Sequence, residues 1–200
     1  MTPYKYGFGQ RLSTDAKIAV DRGFVAHYNI PAADAVAAST TGVHAAMNST
    51  GTPLVVTTGI TNPAVPRNVT ATAGGTATDI KAIQVVVAGT DFADEAITET
   101  LPAFTVDTAG SVAGNKAFKT ITSISVPNHD GNGATTAIGF GDKLGLPYKL
   151  PHNTVIETYV DNAKEATAPT VTTSVTVLDG NTLDPNTALN GKVVDIYLIV

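Results

Sequence analysis

The run from Asn62 to Val126 constrains this chain most, because it is written in short strands and tight turns. Asn62-Pro63 and Val65-Pro66 hold the residues before each proline in extended or turn geometry. Arg67-Asn68-Val69-Thr70-Ala71-Thr72 then alternates and stops at Gly74-Gly75. Ala82 to Val87 reads as a central strand ending at Gly89-Thr90-Asp91, and Gly89 to Asp94 as a hairpin loop. In Glu95 to Leu101, Ala96, Thr98 and Thr100 share one face and Ile97, Glu99 and Leu101 the other. A glutamate between two apolar residues marks a sheet edge. Lys119 to Val126 is the next strand, closed by Pro127.

Composition extends this reading to the whole chain. It holds 31 threonines, 18 glycines and 11 prolines in 200 residues, and 14% of residues are charged against roughly 25% in an average soluble domain. Further strands are expected at Leu54–Thr57, Thr136–Gly141, Asn153–Asp161 and Pro169–Leu178. The last, Lys192 to Val200, is apolar enough to be buried or paired. Strands recurring every 12–20 residues or so fit a sandwich or barrel rather than βαβ units. Residues 1–50 differ in style. Tyr4, Tyr6 and Phe8 alternate with Gly7 and Gly9 in an irregular arm, Asp15–Val20 reads as a strand or a short helix, and Pro31 can open about two helical turns over Ala32–Ala38. The expected fold is therefore all-β, a sandwich or barrel of short antiparallel strands with at most one or two short helices. The expected division is an arm with a short helical or irregular segment at 1–50 and a β-rich core at 51–200. Asp161 to Pro169 is the best internal loop or linker, read as a long surface loop rather than a domain boundary.

Net charge is −5, and no cluster of four basic residues exists for binding phosphates, so nucleic acid is not an expected partner. No apolar run of membrane-spanning length and no secretory leader are read at the N-terminus. With no cysteine, thiolate metal sites and disulfides are excluded. His27, His44, His129 and His152 have no metal-ligand spacing and read as surface or loop residues. Asn128-His129-Asp130-Gly131-Asn132-Gly133 is rich in oxygen ligands but lacks the closing acid of a calcium loop, so a hairpin turn is expected. Asp91, Asp94 and Glu95 read as a solvated hairpin tip. Gly139 to Gly145 lacks the Gly-Lys-Ser/Thr of a phosphate loop. Asn48-Ser49-Thr50 and Asn68-Val69-Thr70 match glycosylation acceptors without the leader that would make them meaningful. No catalytic residue, cofactor or metal site is expected, and the chain reads as a non-enzyme.

The Asn62–Thr72 block resembles sequences of tailed-bacteriophage virion proteins. So do Val87-Ala88-Gly89-Thr90-Asp91 leading into Ala96–Leu101, Ala113–Ile124 and Ile138–Pro147. Together they are similar to small β-rich structural proteins of the head decoration or cement type, over roughly Pro53 to Leu150. The resemblance implies a protein made in the host cytoplasm that binds the major capsid protein on the outer head surface as a homo-oligomer, with a trimer suited to local three-fold positions. Tyr4, Tyr6, Phe8 and Phe24 are the expected interface anchors, since interfaces enrich aromatics. Closing the protein's own core is their other reading. A tail-tube or head–tail connector component and a carbohydrate-binding β module are the alternatives.

Overall fold

The structure is a computed structural model that describes Leu12–Ser13, Ala19–Val20 and residues 23–200. Strands β1 (Leu12–Ser13) and β2 (Ala19–Val20) pair with each other. They are followed by β3 (Val25–Ile30), β4 (Ser39–Asn48), β5 (Leu54–Val56), β6 (Arg67–Gly75) and a 3-10 turn at Ala77–Asp79. Next come β7 (Val86–Thr90), β8 (Ala96–Thr100), β9 (Gly110–Phe118), β10 (Thr120–Val126) and β11 (Ala134–Gly145). The last are β12 (Val155–Val160), β13 (Ala163–Lys164), β14 (Thr170–Thr172), β15 (Thr182–Asp184) and β16 (Val194–Ile199). The fold is all-β, with antiparallel sheets curled into a half-barrel and, among the described residues, no helix of seven or more residues.

Three larger sheets carry the structure. Sheet I has the order β14-β15-β11-β6-β9, with β4 also on β11. Sheet II is β5-β10-β7-β8, and sheet III is β13-β12-β16-β3. Sheets I and II are joined by one bent run: β9 ends at Phe118, Lys119 turns the corner, and β10 starts at Thr120 in the other sheet. The backbones cross so closely there that a side chain at Gly89 would strike the Thr120 carbonyl.

Two hydrophobic cores follow. The first packs Val69, Ala71, Phe118 and Ile138 of sheet I against Val87, Ile121 and Ile124 of sheet II. The second packs Leu144 and Leu183 of sheet I against Ile30, Val194, Ile196 and Leu198 of sheet III. Each of these valine, leucine, isoleucine and phenylalanine side chains, fully withdrawn from water, contributes on the order of 2 kcal/mol. Strand β11 serves both cores, and at its bend lies Arg67, with no exposed surface. Its Nε donates to the Gly141 carbonyl (2.6 Å), Nη1 to the Val36 carbonyl (2.7 Å) and Nη2 to Asp142 Oδ1 (2.8 Å). The guanidinium also lies 4.6 Å from the centre of the Phe140 ring. Burial lowers the Arg67 pKa and Asp142 opposes that shift.

Several sequence expectations need correction. The helix after Pro31 is one turn, in which Asp34 and Ala35 both bond to the Pro31 carbonyl. Ser39–Asn48 is then a ten-residue strand, held by pairing with β11 some ninety residues on, a partner no local signal announces. Gly42 does not interrupt a helix; a side chain there would meet the Phe140 ring. The Ala82–Val87 strand begins at Val86 and runs through Gly89 to Thr90. Ile83 and Val85 still accept single bonds from Phe104 and Leu101. Of Pro169–Leu178 only Thr170–Thr172 is strand. The remainder winds around buried Asn181, whose amide nitrogen donates to the Ser174 and Val177 carbonyls while its oxygen accepts from Ser174 N and Leu150 N. The Asp161–Pro169 loop contains β13, and Asp161 and Asn162 supply the two positive φ angles of a tight hairpin turn. Of the segment assigned to 1–50, β3 and β4 are built into the sheets of the later residues.

Candidate interaction surface

Alternation along sheet III separates its two faces. In β16, Val194, Ile196 and Leu198 are buried, while Asp195, Tyr197 and Ile199 point outward. In β3, Val25, His27 and Asn29 point outward beside them, pairing with Ile199, Tyr197 and Asp195. Across the sheet, Glu157 and Tyr159 of β12 flank Tyr197 and Asp195. This outer face has a polar centre, and beyond it one end of the sheet is apolar.

At the apolar end of the sheet Phe24 is 70% exposed and Val25 68%, with Ile156, Ile199 and Val200 also open to solvent; by the same alternation Val25 and Ile199 lie on the outer face, and the opposed pair Phe24 and Val200 on the other side of the sheet. Phe24 exchanges both backbone hydrogen bonds with Val200, so this end is held by the chain's last residue. A shallow depression of about 310 Å³ lies between Val25, Ile156, Glu157, Tyr159 and Tyr197. Of the four expected anchors, Phe24 is exposed here; Tyr4, Tyr6 and Phe8 lie outside the described residues.

The polar centre is internally satisfied. His27 Nε2 lies 2.6 Å from Asp195 Oδ1, and Asn29 Nδ2 donates to the same oxygen at 2.8 Å. Asn29 first, and then His27, hold the Asp195 carboxyl below its ordinary range. Lys164 Nζ and Tyr159 OH each donate to Glu157 at 2.6 Å. The Lys164 bond foremost, and then the Tyr159 bond, pull the Glu157 carboxyl down, and the bond to Glu157 foremost pushes the Tyr159 phenol up. His27 stacks on Tyr197 with ring centres 4.5 Å apart, and Tyr159 meets Tyr197 edge to face at 6.0 Å.

The other sequence candidates resolve into structural roles. The Asn128–Gly133 stretch is not a hairpin turn; it carries the chain from β10 in sheet II to β11 in sheet I. Its glycines make room for Asp79, whose Oδ2 accepts the Gly133 N–H at 2.8 Å. His129 is not at the surface: it is 3% exposed, its Nδ1 accepts the Lys81 N–H, and its Nε2 lies 2.9 Å from Thr136 Oγ1. Burial pushes its pKa down, opposed by Asp130. Asp91 is likewise buried, accepting the Ala93 and Glu95 N–H groups, while Asp94 reaches Lys119. Asn68 is buried and donates to the Gly114 carbonyl, which closes it to glycosylation. His44 bonds locally to the Ala45 carbonyl. No three His, Cys, Asp or Glu side chains converge as metal ligands among the described residues.

Glu99 lies on β8, an edge of sheet II, as its position among apolar neighbours suggests. Its task was not legible. Strand β9 bulges between the pairs Asn68↔Ala117 and Thr70↔Ala113. The Glu99 carboxylate accepts the freed N–H groups of Asn115 (2.6 Å) and Lys116 (3.2 Å). Burial raises its pKa and these two bonds resist that shift.

Comparison with protein-family models, curated proteins and solved structures finds no match to the chain.

Proposed function

We propose that this chain is a non-enzymatic virion structural protein, a head decoration or cement protein that docks on the outer surface of a phage capsid. The observation that carries the reading is the apolar end of sheet III, where Phe24, Val25, Ile156, Ile199 and Val200 stand exposed directly after the aromatic-rich N-terminal sequence. Exposed apolar side chains gathered at one place and rimmed by satisfied polar groups are what a docking surface needs. The major capsid protein is the proposed partner, and the resemblance of Pro53–Leu150 to phage head proteins is the reason for choosing it. Binding in many copies to a repeating lattice suits an all-β module whose polar groups beside the apolar end, His27, Asn29, Asp195, Glu157 and Tyr159, are bonded to one another or to Lys164.

The carbohydrate-binding alternative draws on three rings of the same face, His27, Tyr159 and Tyr197. Their arrangement weakens it: His27 lies parallel against Tyr197, so those two ring faces cover each other rather than lying open to a sugar.

The test is co-sedimentation of purified protein with heads and, separately, with tails of the parent particle. Saturable binding to heads, lost on Phe24→Asp with Val25→Asp, is the expected result. Binding to tails alone, or six-fold rings in solution, replaces the head assignment with the tail-tube reading. Glycan binding without particle binding replaces both.

A further inference from the structure

The edges of the three sheets are not treated alike. Strand β9 has its bulged N–H groups taken by Glu99. Strand β4 is kinked by two register shifts, and its Val43 carbonyl is taken by Thr61 N. Strands β5 and β14 are three residues long, and β13 is two residues long and carries Lys164. Strand β8 carries Glu99. Bulges, charges and short length are the usual ways of preventing unwanted pairing. Strand β3 uses none of them. It runs six residues in unbroken register with β16, contains no proline, lysine or acid, and has no strand on its other side among the described residues.

Which backbone groups face that open side follows from the ladder. Phe24 exchanges both its bonds with Val200. In an antiparallel strand the direction of the N–H and C=O groups alternates from residue to residue. The even residues of β3 therefore face β16, and Val25, His27 and Asn29 turn their N–H and C=O groups outward.

We propose that β3 is a self-association edge, pairing antiparallel with β3 of a second copy about a two-fold axis at His27. In that register Val25 meets Asn29 of the second copy, His27 meets its own mate, and all six outward backbone groups are bonded. Residues directly opposite share a face, so the two outer faces of sheet III merge into one eight-stranded surface. No fixed like charges oppose across the axis at these outward positions, as they would at an edge carrying Lys or Glu. A head-to-tail ring through sheet III has no comparable second edge, since β13 is too short to pair with β3. Two-fold symmetry therefore takes the place of the three-fold expectation. The inference is independent of where the protein acts, and it would double the proposed docking face.

Mass measurement of the full chain at high micromolar concentration tests it, with proline substitutions and a thiol reporter. His27→Pro and Val25→Pro each delete an outward N–H while sparing the bonds to β16. Either should raise the dimer dissociation constant roughly tenfold or more, since two bonds are lost per dimer. Because the chain has no cysteine, His27→Cys introduces a unique thiol. That variant needs no strained backbone and should join to its mate through a short bifunctional reagent, whereas Ser111→Cys on β9 should not. A monomer, a trimer, or equal cross-linking of both thiols overturns the proposal.

Discussion

The two hydrophobic cores are built by different logics. The first gathers side chains from Val43 to Phe140, with β-branched and aromatic residues on neighbouring strands. The second gathers six leucines, Leu144, Leu146, Leu150, Leu183, Leu189 and Leu198, and closes only when β3 meets β16 near the far end of the chain. Turn punctuation between successive strands can specify much of the first core. The second depends on pairing across most of the sequence, which local pattern does not encode. Arg67, seated at the bend of β11 where the cores meet, is what makes the comparison testable.

The largest effect is expected from Arg67→Ala. Removing the guanidinium leaves the Val36 and Gly141 carbonyls without their donor and Asp142 without its cation. Breaking such a buried pair costs roughly 3–5 kcal/mol. Arg67→Lys should recover little, because an ammonium cannot span three acceptors set around a planar fork. The tyrosines of the described residues, Tyr28, Tyr148, Tyr159 and Tyr197, all belong to the second core or to sheet III, and there is no tryptophan. With Tyr4 and Tyr6 replaced by phenylalanine, tyrosine emission therefore reports the second core and sheet III, while far-ultraviolet dichroism reports the whole fold. In urea the two transitions should coincide for the parent chain and separate for Arg67→Ala. Coincidence in both would mean that Arg67 does not couple the cores.

The same contrast explains what could be read from sequence. The strands Arg67–Thr72 and Lys119–Val126 were legible because their alternation is bounded by proline and glycine. The closing strand at Val194–Ile199 was legible because it is apolar at every second position. Strand β4 was not, since Ser39–Asn48 has the alanines and glycine of an interrupted helix and only β11 makes it a strand. Glu99 announced an edge through its misfit with apolar neighbours, but the bulge it fills lies in another sheet. The apolar end of sheet III was half legible. Phe24 stood out as an aromatic, whereas Ile156, Ile199 and Val200 join it only through the pairing of β3, β12 and β16.

A smaller effect, confined to the first core, is expected from pH. His129 accepts a backbone N–H at Nδ1, so the folded state favours the neutral ring, and burial lowers its pKa from 6.5. Between that lowered value and 6.5 the unfolded chain binds the extra proton. Stability is then complete above about pH 6.5 and falls as pH drops through the folded pKa. Asp130, Lys81 and Asp79 border the site, with Lys81 paired to Asp130 at 3.0 Å. His129→Gln can keep both an acceptor and a donor without the titration. Melting curves should show the parent chain losing more stability than His129→Gln between pH 7.5 and 5.5. Parallel losses would assign the acid sensitivity to other groups.

The smallest effect should come from the outer face of sheet III, where the charges lie in solvent. Glu157→Gln removes the anion shared by Lys164 and Tyr159. Exposed pairs of this kind contribute little to folding, so the unfolding midpoint should not move measurably. The phenol is a sharper reporter, because the hydrogen bond to Glu157 is the main cause of the raised Tyr159 pKa. Following tyrosinate absorbance on raising the pH, one tyrosine should titrate earlier in Glu157→Gln than in the parent chain. A lowered midpoint instead would mean that this face is part of what holds the second core closed, and that the division between a packed inner face and a free outer one is drawn in the wrong place.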